Sequence, residues 1–142
     1  MSCWVKVIDS LTSPFPFCGY GYHSNYNNFY LSFGEGGNGS NNTFGVDCNS
    51  LGFKTSTRYD FRNWHFVAIV ISDGIMYSFV NRDKEILGGI SSLYTIQYRK
   101  FQIGRWCDHT NFSGKMNIFG VRLYNRALTD EEIEALSREY VI

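Results

Sequence analysis

Residues 64–81 read WHFVAIVISDGIMYSFVN. Two apolar runs flank Ser72, Asp73 and Gly74. Asp-Gly is a favoured hairpin turn because both residues tolerate positive φ. The flanking runs are apolar at nearly every position and do not alternate, so both faces of both strands need covering. That predicts a hairpin in the middle of a packed antiparallel sheet, away from any solvated edge.

Working outward, YRKFQIG (98–104) and GKMNIFGVRLY (114–124) read as further strands. The last of these runs almost directly into a helix. In GVRLYNRALTDEEIEAL (120–136), Thr129 suits the N-cap and Glu132 the N3 position of a capping box. Asp130 and Glu131 then lie at the positive end of the helix dipole, and Ile133 and Leu136 face the protein. Towards the amino terminus, SCWVKVI (2–8) alternates, with Cys3, Val5 and Val7 on one face and Trp4, Lys6 and Ile8 on the other. Residues 9–17 read as a loop, NFYLSF (28–33) and TFGVDC (43–48) as strands. GEGGNGSNNT (34–43) has no Gly-Lys-Ser/Thr and no helix after it, so it reads as a hairpin loop and not a phosphate loop. Several short strands and one capped helix predict an all-β sandwich of two antiparallel sheets, with the helix closing the core.

The chain has 142 residues, which suits a single domain, 1–142, with one core. Its formal net charge is zero and it carries no Lys/Arg run, which argues against nucleic acid as a partner. No apolar segment approaches the roughly 20 residues of a membrane span, which predicts no membrane insertion. MSCWVKV lacks the apolar stretch of a signal peptide. Cysteines stand at 3, 18, 48 and 107 with no C-x-x-C pair, against a zinc site of the usual spacing. They are read as reduced thiols; in an oxidising setting two disulfides would have three connectivities.

WHFVAIVISDGIMYSFVN, then FQIGR, then FSGKMNIFGVRLYNRALTDEEI resemble the laminin-G-like domains of the concanavalin A-like lectin/glucanase superfamily. SCWVKV resembles the early Trp-Val-Lys strand of the same family. The resemblance implies a concanavalin A-like jelly roll. It departs from the family in two places: Arg82 follows Asn81 where Gly is common, and the usual first strand before Trp-Val-Lys is lacking. The family includes carbohydrate-binding, adhesion, glycosidase-accessory and virion-packing modules, so the resemblance implies an extracellular, cell-surface or virion setting.

Two stretches carry the chemistry of sugar recognition, an apolar face for C–H groups beside planar hydrogen-bonding groups. In GRWCDHTNF (104–112) these are Trp106, Asp108, His109 and Asn111. In GYGYHSNYNN (19–28) they are Tyr20, Tyr22 and Tyr26. Both read as rim loops, and either would equally suit a protein partner. Trp64 reads as buried, with His65 satisfied near the sheet end. No nucleophile with basic and acidic partners sits in a recognisable motif, and Asp130 to Glu134 read as helix cap and solvated surface. The expectation is therefore a binding module and not an enzyme. It recognises glycans or mediates adhesion; the alternative is an assembly module of a surface or virion complex, with a glycosidase as the lesser alternative. Calcium is left open, with Asp47, Asp73 and Asp108 as candidates by composition only. The lacking first strand predicts an open sheet edge along 114–124, to be filled by a second copy, by an upstream segment of a longer chain or by the carboxyl-terminal REYVI (138–142).

Overall fold

The computed structural model describes residues 1–9, 15–22, 27–34, 42–48, 51–90, 101–104 and 115–140. Within them lie ten strands and one helix: β1 (Ser2–Val7), β2 (Phe15–Tyr22), β3 (Asn27–Phe33), β4 (Phe44–Cys48), β5 (Leu51–Lys54), β6 (His65–Ser72), β7 (Ile75–Val80), β8 (Asp83–Gly89), β9 (Phe101–Ile103), β10 (Met116–Arg122) and α1 (Asp130–Arg138). They form two five-stranded antiparallel sheets. Sheet A has the order β10-β1-β6-β7-β8 and sheet B the order β5-β4-β3-β2-β9.

The 64–81 hairpin is interior, as its unbroken apolar runs require. β6 pairs with β7 from Val67–Val80 to Ser72–Ile75, and β1 and β8 flank the pair. Asp73 and Gly74 take φ of 50° and 74° at the turn. Each face meets a different cluster. Cys3, Val5, Val7, Val67, Ile69, Met76 and Val80 face sheet B and pack on Phe29, Leu31, Phe33, Phe44 and Phe61. Trp4, Phe66, Ala68, Val70 and Phe79 face outward and pack on Ile133 of α1, with Leu136 and Tyr140 beside it. The helix is what allows the outer face of sheet A to be apolar.

α1 starts as its sequence predicts. Thr129 Oγ1 accepts from the Glu132 amide at 3.3 Å, and Glu132 Oε2 accepts from the Thr129 amide at 2.9 Å. Arg126 and Lys84 hold Glu132 and Asp130, and Arg138 holds Glu134. The acidic cluster thus serves the cap and its ion pairs.

Three strands differ from the sequence reading. Residues 15–22, expected in loops, form β2. Its Pro16 lies at a bulge where the register shifts before Cys18, a place where a missing N–H is tolerated. β5 and β8 are edge strands whose polar or glycine-containing sequences do not alternate clearly. β8 joins β7 through Asn81 and Arg82, with Asn81 itself at φ 56°. Trp64 also differs: it is half-buried at the rim of the outer cluster, because β6 begins only at His65. Among the described residues the buried tryptophan is Trp4, edge-on to Phe66 at 5.7 Å between centroids. Cys3, Cys18 and Cys48 are buried free thiols; Cys107 lies outside the described residues.

Candidate functional site

The outer face of sheet B is polar, and its strands explain why. On β3 the inward residues are Phe29, Leu31 and Phe33. Alternation turns Asn28, Tyr30 and Ser32 to the opposite face, away from sheet A, where all three are nonetheless buried. Register then sets their neighbours. Tyr30 lies opposite Gly19 and Asp47, Asn28 opposite Gly21, and Ser32 opposite Gly45; Asp47 faces Gly52, Gly45 faces Lys54, and Gly19 faces Gln102. Polar side chains therefore alternate with glycines across the sheet. At Gly19 and Gly45 the neighbouring strand is too close for a side chain: a Cβ would lie 2.1 Å from the Phe29 oxygen or 1.8 Å from the Phe53 oxygen.

Lys54 spans the gap that these glycines leave. Its Nζ donates to Asp47 Oδ1 at 3.2 Å and to Ser32 Oγ. Burial pushes the Lys54 ammonium pKa below its ordinary value, and Asp47 opposes that shift. Tyr30 donates its hydroxyl to Gln102 Oε1 at 3.2 Å. Two acceptors on this face, Asn28 Oδ1 and Asp47 Oδ2, are buried and find no hydrogen-bond donor. A buried acceptor without a donor costs about 1–3 kcal/mol, so an arriving hydroxyl or amide donor would recover that energy. The face opens at its β5 edge, where Gly52 is exposed.

The residues singled out from the sequence are placed as follows. Tyr20 is on β2, half-buried, stacked on Phe29 at 5.9 Å. Burial raises the pKa of its phenol. It lines a hollow of about 340 Å³ at one end of the sandwich, together with Met1, Phe29, Tyr124, Asn125 and Arg126. Tyr22 ends β2. Tyr26, Trp106, Asp108, His109 and Asn111 lie outside the described residues, as does Glu35. The two chosen stretches join the sandwich at opposite ends. Tyr22 pairs with Asn27 at one end, whereas the chain leaves β9 where the Gly104 amide donates to the Phe17 carbonyl at 2.6 Å. His65 Nδ1 lies 3.1 Å from the Asn63 carbonyl oxygen and its ring packs on Phe61. Asp47 is held by Lys54 and Asp73 by the turn hydroxyl of Ser72. Among the described residues no three His, Cys, Asp or Glu side chains converge, and no helix is long and apolar enough to cross a membrane.

The sequence profile described as the Concanavalin A-like lectin/glucanases superfamily, of laminin-G type, matches residues 1–134. The chain belongs to this family. Among curated proteins nothing matches it. Similar solved structures include a mutant of Trypanosoma rangeli sialidase displaying trans-sialidase activity (TM-score 0.67, 15% identity, covering 96% of this chain and 22% of that one). The Trypanosoma rangeli sialidase in complex with 2,3-difluorosialic acid is similar too (TM-score 0.65, 17% identity, 96% and 22%). A third is the type C botulinum neurotoxin, whose cell entry depends on interaction with two ganglioside molecules (TM-score 0.51, 14% identity, 97% and 34%). At these identities the likeness is one of fold, and the chain spans about a fifth of the sialidases and a third of the toxin.

The sialidase neighbours correct one expectation. The sequence reading assigned no enzymatic activity; the fold occurs within sialidases, which are glycosidases. The physical reason is that spacing along a chain tests only motifs carried on one segment. Catalytic groups brought together by register or by a neighbouring unit leave no such spacing.

Proposed function

We propose that this chain recognises glycans through the outer face of sheet B. The observation that carries the reading is the pair of buried acceptors without donors, Asn28 Oδ1 and Asp47 Oδ2, on a face floored by glycines. Sugar hydroxyls are the matching ligand groups, because each can donate to one oxygen and accept from Lys54. Fold neighbours with sialic acid and ganglioside ligands agree with this reading at the level of fold. The Trp106 segment is proposed as a further contact.

A glycan array, with and without calcium, supplies the test, followed by calorimetry on Asn28→Ala. Removing Asn28 Oδ1 deletes an unpaid acceptor, so stability should hold or rise while glycan affinity falls at least tenfold. Unchanged affinity would reject the face as the site.

One observation favours a second reading, assembly. β10 is an edge of sheet A among the described residues, with Phe119 exposed on it. An open edge is a template for another chain. Light scattering across a concentration series tests it, a constant monomer mass counting against it.

A further inference from the structure

β10 departs from ordinary edge-strand chemistry. Met116, Ile118 and Val121 pack towards the core. Alternation turns Asn117 and Phe119 outward, and Phe119 remains 41% exposed. Its ring meets Tyr140 edge-on, with centroids 4.6 Å apart and planes at 73°. Trp64 is half-buried nearby, at the rim of the cluster that holds Trp4 and Tyr140. Gly120, at φ 61°, bulges the strand where its pairing with β1 shifts register. Together Trp64, Phe119 and Tyr140 wall a groove of about 780 Å³ that runs along β10, with Asn117 and Glu139 contributing polar groups. Glu139 is paired with Arg122, which holds its carboxyl below the usual range.

We infer that this groove is a second glycan site, on the outer face of sheet A. The inference rests on the reading of the chain as a glycan-recognition module. A pyranose presents an apolar C–H face and an equatorial ring of hydroxyls. Three aromatic rings around one groove supply stacking surfaces, and two of them carry a polar handle. The Asn117 amide offers donor and acceptor together, and the Glu139–Arg122 pair offers charged partners on the same wall. The volume falls within the roughly 300–1,000 Å³ of small-molecule sites. A purely apolar ligand would strand these polar groups, at a cost in affinity. The groove lies on sheet A, and the Asp47 face lies on the other sheet, outside the core. The two would therefore bind independently, giving one chain two glycan contacts.

The test labels the 142-residue chain with 5-fluorotryptophan and follows Trp64 by fluorine NMR, its resonance assigned through Trp64→Phe. Lactose and sialyllactose are the neutral and acidic probes, with calorimetry in parallel. The expected result is a saturable Trp64 shift with at least one sugar. That shift should persist in Asp47→Ala and be lost in Phe119→Ser. Asn117→Lys, at an exposed position, should lower the groove affinity at least tenfold, and serves should Phe119→Ser fail to fold. Calorimetric binding that vanishes in Asp47→Ala, with Trp64 unmoved throughout, would overturn the groove and leave the sheet-B reading standing. No binding of either sugar, and no array signal, would overturn both. A Trp64 shift that follows protein concentration and not sugar would mean that a second copy fills the groove, and would also overturn the inference.

Discussion

Lys54 and Asp47 lie on neighbouring strands of sheet B, in adjacent cross-strand rows, and their side chains meet at 3.2 Å while each is more than four-fifths buried. Neither is isolated, since Lys54 also donates to Ser32. Removing one partner of such a pair leaves a poorly solvated charge. Lys54→Met should therefore destabilise the fold by about 1–3 kcal/mol, read by urea denaturation. Lys54→Met with Asp47→Asn should recover part of that loss. Additive losses in the double variant would show that the two groups do not interact.

The helix cap predicts an acid-sensitive element. The Arg126 guanidinium, and then the Thr129 amide, hold Glu132 down at about 2, against an ordinary 4.5. A depressed carboxylate contributes stability above its unfolded pKa and loses it as pH falls through the folded value. The melting temperature should therefore decline between about pH 4.5 and 2, and Glu132→Gln should flatten that decline. Thr129→Ala should cost about 1 kcal/mol at neutral pH. An unchanged acid limb in Glu132→Gln would refute the assignment.

Trp4 and Trp64 should behave differently although both are aromatic residues on or beside sheet A. Trp4 is only 8% exposed and its ring packs on Phe66. Trp4→Ala should cost about 3–5 kcal/mol. Trp64→Ala should cost clearly less, because the ring is only partly buried, at the rim of the outer cluster. Acrylamide quenching of single-tryptophan variants checks the ranking independently: Trp64 should be quenched and Trp4 protected.

Trp106→Ala should weaken glycan binding while leaving the melting temperature nearly unchanged. An exposed stacking platform contributes little to the core, whereas a packed indole would lower stability on removal. Differential scanning calorimetry alongside the array separates the two outcomes.

Local periodicity carried a large part of this fold. The unbroken apolar runs around Asp73-Gly74 demanded an interior hairpin, and sheet B covers one face of β6 and β7 while α1 covers the other. The alternation of SCWVKVI separated Cys3, Val5 and Val7 from Trp4, and the structure sends them to two different clusters. Thr129 and Glu132 specified the helix start because a cap is made within four residues. Elements without such a signature were missed. β2 hides behind Pro16 and two glycines, and β8 behind Asp83, Lys84 and Glu85.

The candidate site shows the complementary limit. Gly19, Asn28, Tyr30, Asp47, Gly52 and Lys54 come from four strands, and each is unremarkable in its own segment. Only strand register brings them onto one face, and register is a relation between distant segments that no spacing along the chain encodes. The groove walled by Trp64, Phe119 and Tyr140 is of the same kind. The sequence by itself determined which residues alternate, turn and cap, since those follow from backbone geometry over a few residues. Tertiary structure alone decided that Asn28 Oδ1 and Asp47 Oδ2 would be buried without donors and that Trp64 would be only partly buried, since burial depends on what the rest of the chain places alongside.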